Sequence, residues 1–332
     1  MGIIKDNLYR FSSKRFLPVF RKGSIFPYYH IVRDESVKHI ENLYEFKNVA
    51  QFKSDLDFLL RHYQPIDPKD LLMGERPENG FLLTFDDGLE EVYSVIFPIL
   101  KEKNLKAVFF INPDFVDNGQ SLYKHDISLI IQHLKELDFP SGKMEIVAGN
   151  LSFDYSSEID FAAKFKNAKF TDRHKIRAIA NALGVDIDNY LMTQKPYVSK
   201  AQIQEMINGG FYFGGHTMSH PPLDQLAFEA QKAEIIDSVN WLKTNFGISY
   251  SMFAFPFSDK SASKTLIREL FEYDKDLLLF GNSGMKKDID KRIIQRFSLE
   301  HPKKETQKQI VTENLYKIFN KLIGKYQIRR ND

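Results

Sequence analysis

The chain has 332 residues, 43% hydrophobic and 27% charged, a balance that lets a globular protein bury a large core. Its 46 basic and 44 acidic residues leave a net charge of +2, which gives no global case for nucleic-acid binding. There are no cysteines, so disulfides and thiolate ligands are excluded, and any metal must be held by His, Asp, Glu or water.

No apolar run approaches the roughly 18–20 residues of a membrane span. The opening Met1-Gly2-Ile3-Ile4-Lys5-Asp6 lacks the apolar core and small-residue cleavage site of a signal peptide, so a cytoplasmic chain is expected. Residues 8–22 mix Arg10, Lys14, Arg15, Arg21 and Lys22 with Phe11, Phe16, Leu17, Val19 and Phe20. Such an arm either packs its aromatics on the domain or touches an anionic membrane from its inner face. Pro18 and the absence of a clean basic helical face favour packing.

In chain order, Ile25–Val32 reads as a first strand, and Val49–Tyr63 as a helix with Phe52, Leu56, Leu59 and Leu60 at helical spacing. Phe81–Phe85 is a strand, Leu89–Lys103 a helix that Pro98 should kink, and Lys106–Ile111 a strand. Ser199 reads as the N-cap of a helix over Lys200–Asn208, stopped by Gly209-Gly210. Then follow a strand at Phe211–Phe213, a long helix over Asp224–Phe246, a strand at Ser251–Phe255 and a helix over Ser261–Tyr273. Strands at Leu277–Phe280 and Arg292–Leu299 and a helix from about Lys304 to Ile323 complete the chain.

This alternation predicts an α/β fold with a mainly parallel sheet of about seven strands, open or closed into a barrel. Residues 117–197 fit it poorly. They hold helix-like pieces at Ile127–Leu137 and Asp172–Leu183 and a polar stretch at Tyr155–Glu158, and read as a long insertion capping the barrel.

In parallel α/β folds, sites lie beyond the C-terminal ends of strands. His30, Asp86-Asp87, His216 and Pro256 all fall there. Carboxylates at the mouth of a buried strand are costly unless paired, hydrogen-bonded or bound to metal. Gly88 lets the backbone turn so that Asp86 and Asp87 can both face one site. His216 and His220 are four residues apart, so one helical turn would bring them to one face. One Asp and two His make a three-ligand site with open positions, suited to catalytic zinc or to Co, Ni or Mn. The other carboxylate is left to take a proton from water, as in metal-assisted hydrolysis of an amide or ester. Alone, an Asp-Asp-Gly turn or a His-x-x-x-His pair has a bland reading, and it is their conjunction that points to chemistry.

At these residues the chain resembles the polysaccharide deacetylase family, with its NodB-homology domain, carbohydrate esterase family 4. Thr84-Phe85-Asp86-Asp87-Gly88 matches the family's first motif and His216-Thr217-Met218-Ser219-His220 the second. Tyr29-His30, Phe52–Leu72 and Val108-Phe109-Phe110 extend the likeness. The resemblance implies a distorted (β/α) barrel of about seven strands that removes acetyl or occasionally formyl groups from amino sugars. By position it makes Asp86 the general base and Asp87, His216 and His220 the metal ligands.

Two motifs depart from the family pattern. The third appears as Ala254-Phe255-Pro256-Phe257, without its arginine, although the Phe257 N–H is still suited to an oxyanion. The resemblance to members lacking that arginine makes Arg296 the candidate to orient the base, with Arg292 second. The late leucine-x-histidine motif is not evident. A branch acting on exported glucosamine polymers carries its acid on the first strand, where His30 stands. His301 is the alternative acid, while His125 and His133, in the insertion, are read as outside the chemistry.

The expected function is removal of N-acetyl groups from an amino sugar in a surface glycan or its lipid- or nucleotide-linked precursor. Deformylation of a formamido sugar and a non-catalytic glycan-binding module on the same fold are the rival readings. The missing arginine favours the latter, and the intact metal and base set opposes it.

Overall fold

The computed structural model describes residues 2–13, 15 and 23–332. Most of the expected membrane-contact segment 8–22 thus lies outside the described residues. Its start belongs to helix α1 (Gly2–Phe11), which lies against the last helix through a Lys5–Glu313 ion pair of 2.6 Å and against the segment just before that helix through a Lys304–Asp6 pair of 3.0 Å. Among the described residues, no helix is long and apolar enough to cross a membrane.

Short apolar runs pair in parallel to form an eight-stranded sheet. In chain order these are β1 (Pro27–Tyr29), β2 (Leu83–Phe85), β3 (Ala107–Ile111), β4 (Tyr212–Gly215), β5 (Met252–Ala254), β6 (Leu278–Gly281), β7 (Ile293–Gln295) and β8 (Phe297–Ser298). The spatial order is β8-β1-β2-β3-β4-β5-β6-β7. Only Arg296 separates β7 from β8. The first half of this last segment pairs with β6 (Phe280 opposite Ile294) and the second with β1 (Pro27 opposite Phe297). One bent strand therefore joins both edges, giving the distorted, nearly closed (β/α) barrel expected from the sequence, with seven strands once β7 and β8 are taken as one.

Side chains alternate across this sheet, as strand geometry requires. Phe110, Leu82, Ala254 and Phe280 share one cluster inside the barrel, whereas Phe85, Phe109 and Phe213 join a cluster with the surrounding helices. Helix α2 (Val49–His62) shows why those helices form. Asn48 and Gln51 make a capping box at its start, and Phe52, Leu56 and Leu59 recur at helical spacing and are fully buried. Each such side chain contributes about 1.5–3 kcal/mol by leaving water, and Asn48→Ala would cost about 1 kcal/mol.

The helix expected over Leu89–Lys103 is instead a π-helical turn at Val92–Ile96 running into an α-helix at Phe97–Glu102. Pro98 falls where the π turn gives way to the α-helix, so the irregularity expected of a proline that cannot donate to the preceding turn is a change of hydrogen-bond ladder within one helical stretch.

Residues 117–197 hold five α-helices: α3 (Tyr123–Glu136), α4 (Ser141–Leu151), α5 (Glu158–Lys166), α6 (Arg173–Leu183) and α7 (Ile187–Gln194). The polar stretch at Tyr155–Glu158 is a helix start, with Ser157 accepting from the Asp160 N–H. These helices have a hydrophobic cluster of their own, which reaches the barrel rim at Ile31 and Leu89. Beyond them lie α8 (Lys200–Asn208), with the expected Ser199 cap, α9 (Phe228–Phe246), α10 (Lys264–Tyr273) and α11 (Thr306–Leu322).

Candidate metal and hydrolytic site

The site is built at the ends of β1, β2, β4 and β5. Along β2, Leu82, Thr84 and Asp86 fall on the inward-facing row. Asp87 would follow Phe85 outward in a regular strand. It instead takes a left-handed φ of 71°, which Asp tolerates better than most residues, and Gly88 follows at 62°. A Cβ on Gly88 would come within 2.9 Å of Ile111. The motif's glycine is therefore required by both backbone angle and space.

Asp86 and Arg296 form a buried two-point ion pair, Nη1 to Oδ1 at 2.7 Å and Nη2 to Oδ2 at 2.9 Å. Arg296 Nη1 also donates to Thr84 Oγ1 (2.9 Å) and Nε to the Gly281 carbonyl (3.2 Å). The guanidinium lies 4.9 Å from the Tyr28 ring and 5.1 Å from Phe110. Burial would raise the Asp86 pKa, but the Arg296 charge outweighs it and holds the carboxyl below its ordinary value. Arg292, the second candidate, pairs with Asp290 at 2.7 Å and packs on Phe271, and does not line the catalytic cleft.

Asp87, His216 and His220 are all buried, and their potential ligand atoms converge within 4.8 Å. Asp87 Oδ1 lies 3.1 Å from His220 Nε2 and 3.4 Å from His216 Nε2. The two histidines do not share a helical turn, contrary to expectation. Residues 216–220 form a loop in which Thr217 and His220 take positive φ values of 67° and 56°. The loop is held by Glu234, which accepts from the N–H groups of Met218 (2.7 Å) and Ser219 (3.1 Å), and by Asn112, which donates to the carbonyls of His216 and Thr217. The strand before it ends in Gly214-Gly215, and a Cβ on Gly214 would lie 2.8 Å from the Met252 carbonyl.

These residues fit a divalent cation. His216 Nδ1 lies 2.7 Å from the Ala254 carbonyl, so Nδ1 carries the proton. In the neutral ring Nε2 is then a bare lone pair turned toward the Asp87 carboxylate. Asp87 Oδ1 is buried without a hydrogen-bond partner. Acceptors facing one another repel, and a cation between them removes the conflict.

His30 lies across the cleft, Nδ1 2.8 Å from Glu300 Oε2. Glu300 Oε1 accepts from the backbone N–H groups of His30 (2.8 Å) and Ile31 (2.9 Å). Burial alone would lower the His30 pKa. The Glu300 charge and hydrogen bond, with Asp87 and Asp86 beyond, override it and push the imidazole up to about 10. This favours the imidazolium at neutral pH, with Nδ1 engaged by Glu300 and the second ring proton on Nε2. His301 receives the Lys303 N–H and does not line the cleft, nor does His133.

Phe257 takes a positive φ of 52°, its carbonyl accepts from Asn282 Nδ2 (2.7 Å), and its ring lies 4.6 Å from His220. Pro256 lines an adjoining groove. The cleft uniting these groups has a volume of about 370 Å³. Tyr44, Lys124 and His125 line it too. His125, read from the sequence as outside the chemistry, nevertheless lines the cleft. Glu300 was also missed. Its signal was register: Pro27 pairs with Phe297 and Tyr28 with Ser298, so parallel continuation sets His30 beside Glu300.

A family model described as polysaccharide deacetylase matches residues 73–128 and 150–274, together more than half of the chain. No curated protein matches the sequence. Among solved structures, the chain is similar to the deacetylase PplD of Streptococcus pyogenes in complex with acetate, at 16% identity and a TM-score of 0.56, over 88% of this chain and 98% of that one. It is also similar to IcaB from Ammonifex degensii, at 17% identity and a TM-score of 0.52, over 88% and 97% of the two chains. A third likeness is to BC0361, a polysaccharide deacetylase from Bacillus cereus, at 14% identity and a TM-score of 0.52, over 88% and 69%. At such identities the likeness is one of fold.

Proposed function

The chain belongs to the polysaccharide deacetylase family, and from that premise we propose that it is a metal-dependent hydrolase. It removes N-acetyl groups from an amino sugar of a surface glycan or of its lipid- or nucleotide-linked precursor. The observation that carries this reading is the unequal environment of the two neighbouring carboxylates. Asp86 is paired at two points with Arg296 and keeps free lone pairs, and Asp87 is left facing two imidazoles.

Asp87, His216 and His220 would hold the ion, zinc first and Co, Ni or Mn as alternatives. When bound, such an ion polarises an acyl carbonyl and acidifies water. Asp86, kept ionised and fixed by Arg296, accepts the proton of the attacking water. The Phe257 N–H stabilises the oxyanion as the carbonyl becomes tetrahedral. His30 gives its Nε2 proton to the departing amine, and Glu300 holds the imidazole in place throughout. The whole chain acts as one catalytic domain, with residues 117–197 capping the barrel and shaping the cleft. A cytoplasmic position, with residues 8–22 touching the inner face of the membrane, suits a lipid-linked substrate.

The test is acetate release from a panel of N-acetylated glycans by metal-loaded and chelated protein, with formate release from formamido sugars measured alongside. Acetate release that chelation abolishes and metal restores is the expected result. Loaded protein that binds glycans but releases neither acid would overturn the hydrolase reading.

A further inference from the structure

Two polar groups of the cleft take no part in the chemistry above. The Tyr44 hydroxyl and His125 Nε2 are both buried, and neither has a hydrogen-bond partner. Tyr44 follows β1, and its ring lies 5.4 Å from that of His30. His125 is on α3, is 2% exposed, and stacks on Tyr197 with planes 16° apart. Both line the same cleft as Asp87 and His220.

The protonation of His125 follows from its neighbours. The Tyr197 hydroxyl oxygen accepts from the Leu122 N–H at 2.9 Å and lies 2.7 Å from His125 Nδ1. We assign the phenol proton to the bond with Nδ1, which makes Nδ1 the acceptor and places the proton of the neutral ring on Nε2. Burial holds His125 far below its ordinary pKa, and so neutral, and holds the Tyr44 phenol well above its own. The cleft therefore presents two uncharged donors beside the Asp87 site, one of them locked in direction by a stacked ring.

Resting on the deacetylase reading, we propose that Tyr44 and His125 recognise the saccharide, donating hydrogen bonds to its hydroxyl or ring oxygens while the catalytic groups engage the acetamido group. A buried donor without a partner costs roughly 1–3 kcal/mol, and native interiors rarely leave one so. A sugar oxygen in the cleft relieves that cost, whereas a small acetyl ester without sugar hydroxyl or ring oxygens does not. The pair thus selects saccharides over simple acetyl compounds.

The test compares Tyr44→Phe and His125→Phe with wild type on an N-acetylglucosamine trimer and on 4-nitrophenyl acetate, all metal-loaded. Each variant should lower the trimer-to-ester ratio of kcat/KM about tenfold, mainly through the KM for the trimer, as loss of one good hydrogen bond predicts. Tyr44→Phe breaks no bond within the protein, so its Tm should not fall, and it keeps the test valid if His125→Phe folds poorly. An unchanged ratio in Tyr44→Phe overturns the proposal. If wild type binds the trimer but releases no acetate, the hydrolase reading fails by itself. The trimer affinity of the two variants then decides, a tenfold loss supporting the proposal and no loss overturning it. Wild type that neither binds nor cleaves the trimer overturns both.

Discussion

Asp86 and Arg296, 210 residues apart, meet in a two-point ion pair with no exposed surface on the arginine. Thr84 and the Gly281 carbonyl hold the same guanidinium, so base, arginine and barrel wall form one rigid unit. Arg296→Met leaves a buried carboxylate without its partner and should cost about 3–5 kcal/mol in urea unfolding, with acetate release falling by at least roughly a hundredfold. Arg296→Lys keeps a charge but loses the fork, and should recover stability better than rate. Asp86→Asn with Arg296→Met should regain part of the stability and none of the rate.

The two carboxylates separate by assay. Asp86→Asn should lower acetate release roughly 10²–10⁴-fold with metal content by mass spectrometry unchanged. Asp87→Asn or His216→Ala should lose the metal itself. An Asp86→Asn protein that lacks metal but keeps its rate would reverse the assignment.

The His30–Glu300 pair predicts a pH dependence with a definite sign. The folded pKa of about 10 lies above the ordinary 6.5. The pair's stabilisation is therefore complete below about pH 6.5 and lost as pH rises toward 10. The Tm difference between wild type and His30→Gln should shrink across that window. Glu300→Gln should move the alkaline limb of kcat to lower pH, because the imidazole then releases its proton sooner.

Away from the site, Lys47 is 2% exposed and pairs with Asp55 at 2.6 Å, while Asp55 also receives the Tyr29 hydroxyl at 2.8 Å. Burial lowers the Lys47 pKa, with Asp55 opposing it. Lys47→Met should destabilise by about 3–5 kcal/mol, because it leaves Asp55 unpaired. Folded protein should keep most of its kcat, which separates fold maintenance from chemistry.

Gly214→Ala forces a Cβ against the Met252 carbonyl, a backbone atom that cannot swing aside. It should cost about 1–3 kcal/mol by overpacking. Because β4 leads directly to His216, metal affinity measured by competition with a chelator should fall as well.

Much of the fold was legible because the strands are short apolar runs and several helices carry side-chain N-caps, as Ser199 and Asn48 do. The Asp87, His216 and His220 cluster was legible because its residues sit in two compact motifs. The route that joins His216 to His220 was not, since spacing of four suits a helix and a loop equally, and only left-handed angles at Thr217 and His220 select the loop. Glu300 and His125 were hidden for a different reason. Each meets a partner distant in sequence, His30 and Tyr197, and only strand register or helix placement brings them together.

The single residue between β7 and β8 has a consequence for how the protein matures. The same arginine that pairs with Asp86 is the hinge at which the last strand passes from one edge of the sheet to the other. Until that C-terminal segment docks, Asp86 has no counter-charge and the sheet has no seam. Closure of the barrel and completion of the Asp86 ion pair are thereby one structural event.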